Sequence, residues 1–228
     1  MSSNVSGKAY ALTLMCPIKS GTDDNQVAFA DAIRDQLEGW NAMALSPMAL
    51  VPNTYFCRYY ILDDVCTQSL PGAGIWDTIS DILPMMPDTW RRAALPYEDH
   101  LKSRYLVFSS SFHGALEPYL QGMWRDAETD VRSIWQHCYG FEGVHDATTF
   151  TEYVKRCQLD ASLFFVGSND DSLTAQRKAL YVKQEFSRFA EDMQDMPAAQ
   201  LRQAYLTFMQ RVKPRDDAGP AWTAGQRA

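Results

Sequence analysis

Long apolar runs are missing from the 228 residues. No stretch reaches the roughly 18 consecutive apolar residues that a membrane span requires, so no transmembrane segment is expected. The opening MSSNVSGKAY has no charged start followed by an apolar block, so no secretion signal is expected either. Runs and stripes of basic residues are also missing. Lys and Arg number 21 against 28 Asp and Glu, giving a net charge of -7, which argues against nucleic acid and anionic membrane as partners. Paired cysteines are absent too. Cys16, Cys57, Cys66, Cys138 and Cys157 are scattered, odd in number, and never at C-x-x-C spacing, so reduced thiols in a cytoplasmic protein are expected. His137 and Cys138 are adjacent with no second pair at ligand spacing, which excludes a zinc site of ordinary pattern. G-x-S-x-G elbows, phosphate loops and zinc-deaminase signatures do not occur, and SGTDD lacks the glycines and lysine of a phosphate cradle.

What is present is apolar and aromatic. Hydrophobic residues make up 46% and aromatics 12%, enough for a globular core. The pattern predicts a single α+β domain over residues 1–212, with an insertion at 65–103 and a disordered tail at 213–228. Residues 1–8 read as a loose leader.

The organising stretch runs from Arg104 to Gly140. RYLVFSS reads as a strand. After a polar turn, Leu116, Leu120, Met123, Ala127, Val131, Ile134 and Cys138 recur at spacings of three and four, the period of a helix with one buried face. Pro118 suits the first turn and Gly140 a left-handed stop. Three more strands are predicted: AYALTLMCPI (9–18), TYFCRYYIL (54–62) and SLFFVG (162–167). A helix with stripe Val27, Ala30, Ile33 and Leu37, stopped at Gly39, follows the first of them. The insertion carries a short helical stretch, IWDTISDIL, and another follows Gly140 at DATTFTEYVKRCQL. Two last helices carry the stripes Ala179–Val182–Phe186–Phe189–Met193 and Leu201–Tyr205–Phe208–Val212, interrupted by Pro197.

This order, β-α-β-insertion-β-α-β-α-α, is that of a ferredoxin-like βαββαβ unit with additions. The four strand sequences and the long helix resemble the dimeric α+β barrel superfamily over roughly residues 9–195. The resemblance implies a homodimer whose two sheets pack into a barrel, with a small-molecule pocket between sheet and helices. Relatives in that superfamily include cofactor-free monooxygenases, haem-degrading enzymes, chlorite dismutases and dye-decolourising peroxidases; the G-x-x-D-G signature of the last group is absent here.

The candidate polar groups are His137, His113 and Arg58. His137, beside Trp135, Cys138 and Tyr139, could ligate haem iron or act as a base. It could equally be a cation favoured by a helix C-terminus. His113 stands where the third strand turns into the long helix, next to N–H groups that could hold an anion. Arg58, a cation on an aromatic strand between Phe56 and Tyr60, could clamp a carboxylate or pair with Asp63 or Asp64. Phe56, Tyr60, Trp124, Trp135 and Tyr139 are the expected pocket lining. His100 and His145 read as loop residues. The expectation is an oxidoreductase, haem-dependent or cofactor-free and monooxygenase-like, acting on an apolar or aromatic substrate. The alternatives are a non-catalytic binding or dimerisation module, and a cyclase or isomerase of polyketide-like substrates.

Overall fold

The computed structural model describes residues 3–65, 67–69, 97–167 and 170–223. In chain order its elements are β1 (Val5–Ser6), β2 (Ala9–Pro17), α1 (Phe29–Ala42), β3 (Thr54–Leu62), β4 (Thr67–Ser69), β5 (Tyr97–Asp99), β6 (Tyr105–His113), α2 (Leu116–Trp135), α3 (Ala147–Cys157), α4 (Leu173–Asp192) and α5 (Ala198–Val212). The class is α+β, with a four-stranded antiparallel sheet in the order β1-β2-β6-β3. β4 and β5 form a separate two-stranded ladder. The stretch IWDTISDIL, with Trp76, lies outside the described residues. No described helix is long and apolar enough to cross a membrane.

Alternation along the strands decides which side of the sheet carries the core. Leu12, Leu14 and Cys16 of β2 and Leu106, Phe108 and Phe112 of β6 are buried against the helices. From α1 come Ala30, Ile33 and Trp40. From α2 come Leu120, Met123, Ala127, Val131 and Ile134, the stripe legible in the sequence. Each such side chain contributes about 1.5–3 kcal/mol when fully buried. Gly114, at φ +101°, turns the chain out of β6 into α2, a backbone conformation side chains resist. Ser110 is tolerated in the core because its hydroxyl lies 2.8 Å from that of Tyr119, whose ring stacks on Phe112 at 3.6 Å.

Several expectations are corrected. The leader contributes β1, which pairs Val5 with Tyr10 and Ser6 with Ala9. α1 runs past Gly39 to Ala42, because Trp40 is buried edge-on against Tyr59, 5.9 Å away. Residues 162–167 are not a strand. Three short segments already occupy the outer edge of β2: Asn4 O accepts from Ala11 N–H, Leu159 N–H donates to Thr13 O, and Tyr139 N–H donates to Pro17 O. The 162–167 segment is therefore held by side chains, with Val166 N–H donating to Ser6 Oγ at 3.2 Å. The expected loose tail is tied down over 213–223. Lys178, buried on α4, donates to Val212 O at 2.7 Å and Pro220 O at 2.8 Å.

α4 and α5 form an antiparallel hairpin sewn by aromatic rings, with Phe189 4.9 Å from Phe208. The buried Glu185 carboxylate binds Arg188 at 2.8 Å and also Arg211 across the hairpin.

The layer between sheet and helices is filled. Phe108, Trp135, Tyr59 and Phe150 interlock there at ring distances of 4.6 to 6.4 Å. The hollow expected in that layer is occupied by side chains. Among the described residues, the opposite face of the sheet is met by a helix only at its end, where Gln176 of α4 reaches the sheet residues Tyr55 and Ser111.

Candidate functional site

That second face is set by register. Met15, Val107 and Tyr60 form one row across β2, β6 and β3; Thr13, Ser109 and Arg58 form the next; Ala11, Ser111 and Phe56 the next. Phe56 and Tyr60 are 54% and 47% exposed, high for aromatic rings on a sheet. At its far end Ala9 pairs with His113.

A β-bulge shapes this end. The pairing of β3 shifts between Thr54 and Phe56, leaving Tyr55 as the extra residue. Thr54 stays on the core side, where its hydroxyl is 3.3 Å from that of Tyr119. Tyr55 and Phe56 both reach the open side. Tyr55 Oη lies 2.9 Å from His113 Nδ1 and donates to Asp171 O at 3.3 Å. Tyr55 and Phe56, together with Ala9, Ser111, Phe164, Phe165, Val166 and Gln176, line a largely apolar cleft of about 320 Å³.

Asp171 is held in place from the β1–β2 turn. The Asp170 carboxylate accepts from Lys8 N–H at 3.0 Å. It packs so closely on Gly7, at φ +59°, that an added Cβ would sit 2.1 Å from Asp170 Oδ1. The turn thus needs glycine twice over, for its backbone angle and for the carboxylate.

The proton inventory selects one arrangement. A phenol has one hydrogen and a carbonyl can only accept. Both contacts of Tyr55 are hydrogen bonds only when the phenol donates to Asp171 O and His113 Nδ1–H donates to the phenol oxygen. His113 Nε2 is then a bare lone pair, the form of a general base. Burial, helped by the Asp170 and Asp171 carboxylates, raises the Tyr55 phenol above its ordinary range, which keeps its proton in place.

The residues singled out in the sequence fall in four places. Phe56 lines this cleft, and His113 stands behind it, bonded to the lining residue Tyr55. Arg58 and Tyr60 line a different one of about 320 Å³ at the outer side of β3, with Trp40, Met48 and Tyr59. Arg58 lies over the Tyr60 ring at 5.9 Å, while Asp63 is taken by Arg34 and Arg104, and Asp64 by His100. Trp124 and Trp135 are core residues, Trp124 carrying Arg132 on its face at 4.6 Å. His137 and the exposed Tyr139 lie at the other end of β2, beside the Ile18–Cys138 bridge. That is roughly 30 Å from His113 along nine strand steps.

His137 sits at the surface. Its ring stacks on Phe29 at 4.9 Å, and its Nε2 lies 3.5 Å from Gln136 Nε2. Burial and nearby Lys19 lower its pKa, against a smaller opposing pull from Asp23. Among the described residues no group of three or more His, Cys, Asp or Glu could hold a metal ion.

Sequence reasoning missed Tyr55, Ser111 and the Phe164–Val166 wall. Strand alternation puts Tyr55 on the same face as Cys57, Tyr59 and Ile61, and the bulge turns it to the other. No family model matches this chain, and no curated protein or solved structure matches it.

Proposed function

We propose that the protein is a small-molecule enzyme whose site lies on the open sheet face around Tyr55 and His113. A second copy closes it by laying its own open face against the first, as in the dimeric α+β barrels. The observation that carries this reading is that Tyr55, which lines an apolar cleft, is hydrogen-bonded to His113. β2 and β3 are parallel to each other on either side of antiparallel β6, with α1 and α2 on one face, which supports a ferredoxin-like core. α3 then returns to β2 at the Leu14–Gln158 bridge, where the last strand of such a core would lie.

The chemistry that suits the pair is proton abstraction from an aromatic substrate. His113 Nε2 takes the proton of a phenol, and Tyr55 steadies the resulting imidazolium through Nδ1. In the cofactor-free oxygenase version the electron-rich ring then reacts with dioxygen. One oxygen atom becomes the second carbonyl of a quinone, and the other leaves as water with the two hydrogens the ring gives up. The apolar Phe56, Phe164 and Phe165 walls suit such a ring.

Oxygen uptake and quinone absorbance with 1-naphthol as the probe test this. Wild-type protein should consume oxygen, and His113→Gln should lower the rate about 10²- to 10⁴-fold, the range for loss of a positioned base. A His113→Gln rate equal to wild type would overturn it. Solvent deuterium entering the probe without oxygen uptake would point to an isomerase or cyclase that shares the proton-transfer step.

A further inference from the structure

Three cysteines far apart in sequence meet at the outer edge of β2, away from the site above. Cys16 is fully buried on the helix-facing side of the strand. Ile18 bridges Cys138, and Leu14 bridges Gln158, the neighbour of Cys157, so the other two thiols arrive on either side of Cys16. Backbone bonds of 2.9 Å from Tyr139 N–H to Pro17 O and 2.8 Å from Leu159 N–H to Thr13 O fix both segments. The Cys16 and Cys157 side chains interact directly. Tyr153 is buried beside them; its hydroxyl has no partner of good hydrogen-bond geometry, and the three sulfurs are its neighbours. All three thiols are free.

We propose that Cys157 and Cys16 form a reversible dithiol–disulfide pair that responds to hydrogen peroxide. Cys157 is the attacking sulfur. It is half-exposed at the end of α3, while Cys16 and Cys138 are buried. The Cys16 thiol donating to it, with Tyr153 and the Arg156 charge, brings Cys157 down to about 7. The C-terminal end of α3 works against the thiolate, and these nearby donors outweigh it. Burial pushes Cys138 up to about 12, and the Cys157 contact, followed by burial, raises Cys16 as well.

In the first step the Cys157 thiolate attacks one peroxide oxygen. The O–O bond breaks, hydroxide leaves and takes a proton to become water, and Cys157 is left as sulfenic acid. In the second step the Cys16 sulfur attacks the Cys157 sulfur, its proton going to the departing hydroxide as a second water. Two thiols are oxidised by two electrons and one peroxide is reduced. A dithiol reductant reverses the bond. The link joins β2 to the end of α3.

The test is peroxide treatment of the folded chain, alkylation of remaining thiols, and peptide mapping without reductant. A linked Cys16–Cys157 peptide is expected, lighter than its two parts by two hydrogens and released by dithiothreitol, with two thiols lost per chain. Cys57, part-buried on β3 and pushed up to about 11 by burial, should stay reduced. Cys157→Ser should leave Cys16 fully alkylated, and Cys138→Ser should keep the link. Cys16→Ser and Cys138→Ser both alter a packed core, so the Cys157→Ser variant and the wild-type peptide map carry the test. Cys157 ending as sulfinic acid with Cys16 still a thiol would overturn the proposal, as would a link to Cys138 in its place.

Discussion

Removing the Tyr55 hydroxyl alone should change which nitrogen of His113 carries hydrogen. In the wild type the Asp171 carbonyl takes the phenol proton, which forces the Nδ1–H form. Long-range ¹⁵N spectra of Tyr55→Phe should show the two tautomers mixed, against one Nδ1–H form in the wild type. His137 makes a separate prediction. Its depressed pKa means that the folded chain holds this proton less tightly than the unfolded chain does. Its contribution to stability is therefore intact above about 6.5 and is lost as pH falls from there through the folded value. An NMR titration should give a His137 midpoint below 6.5, and Phe29→Ala, which uncovers the ring, should move it back up. At this scale the sequence was half legible. His113 could be picked out because a strand-to-helix turn is a common place for a working side chain. Its partner could not, because one bulged residue reverses the facing of everything before it.

The strands and helices of the core were legible because burial imposes a period. α2 repeats apolar residues at three and four, and β2, β3 and β6 alternate, so those elements stand where the pattern put them. SLFFVG has an equally good strand pattern, yet a ladder needs a free edge, and the edge of β2 is filled by pieces remote in sequence. Polar positions in the core rest on specific partners. Tyr119→Phe keeps the ring stack on Phe112 but strips Ser110 of the hydroxyl 2.8 Å away. It should cost about 1–3 kcal/mol, read as a lower urea midpoint with an unchanged slope. The C-terminal segment is tied to α4 by the Lys178 ammonium and by one backbone bond, Trp222 N–H donating to Arg177 O at 3.3 Å. Lys178→Met should free residues 213–223 from α4 and speed tryptic cleavage after Arg215, with far-UV circular dichroism unchanged.

Among the described residues, one face of the sheet is packed under helices and the other is largely open, and that asymmetry frames the functional reading. The sequence revealed apolar residues on both sides of β3 and β6 but not what lay beyond them. Phe56 and Tyr60 line two separate clefts and are both largely exposed. Leu163 and Phe165, 85% and 78% exposed, lie on the segment that walls the cleft. Solvent is a poor environment for so many apolar groups close together. Two such faces brought together would cover them and enclose the Tyr55–His113 pair, leaving the Thr13–Ser109–Arg58 row as the polar stripe within.

The most direct measurement is sedimentation equilibrium of the wild type beside a Phe56→Glu, Tyr60→Glu double variant. Charges on the open face should split a pair of 25.8 kDa chains into single ones while circular dichroism stays the same. A wild type that sediments as one chain at tens of micromolar, or a double variant that still pairs, would contradict the account.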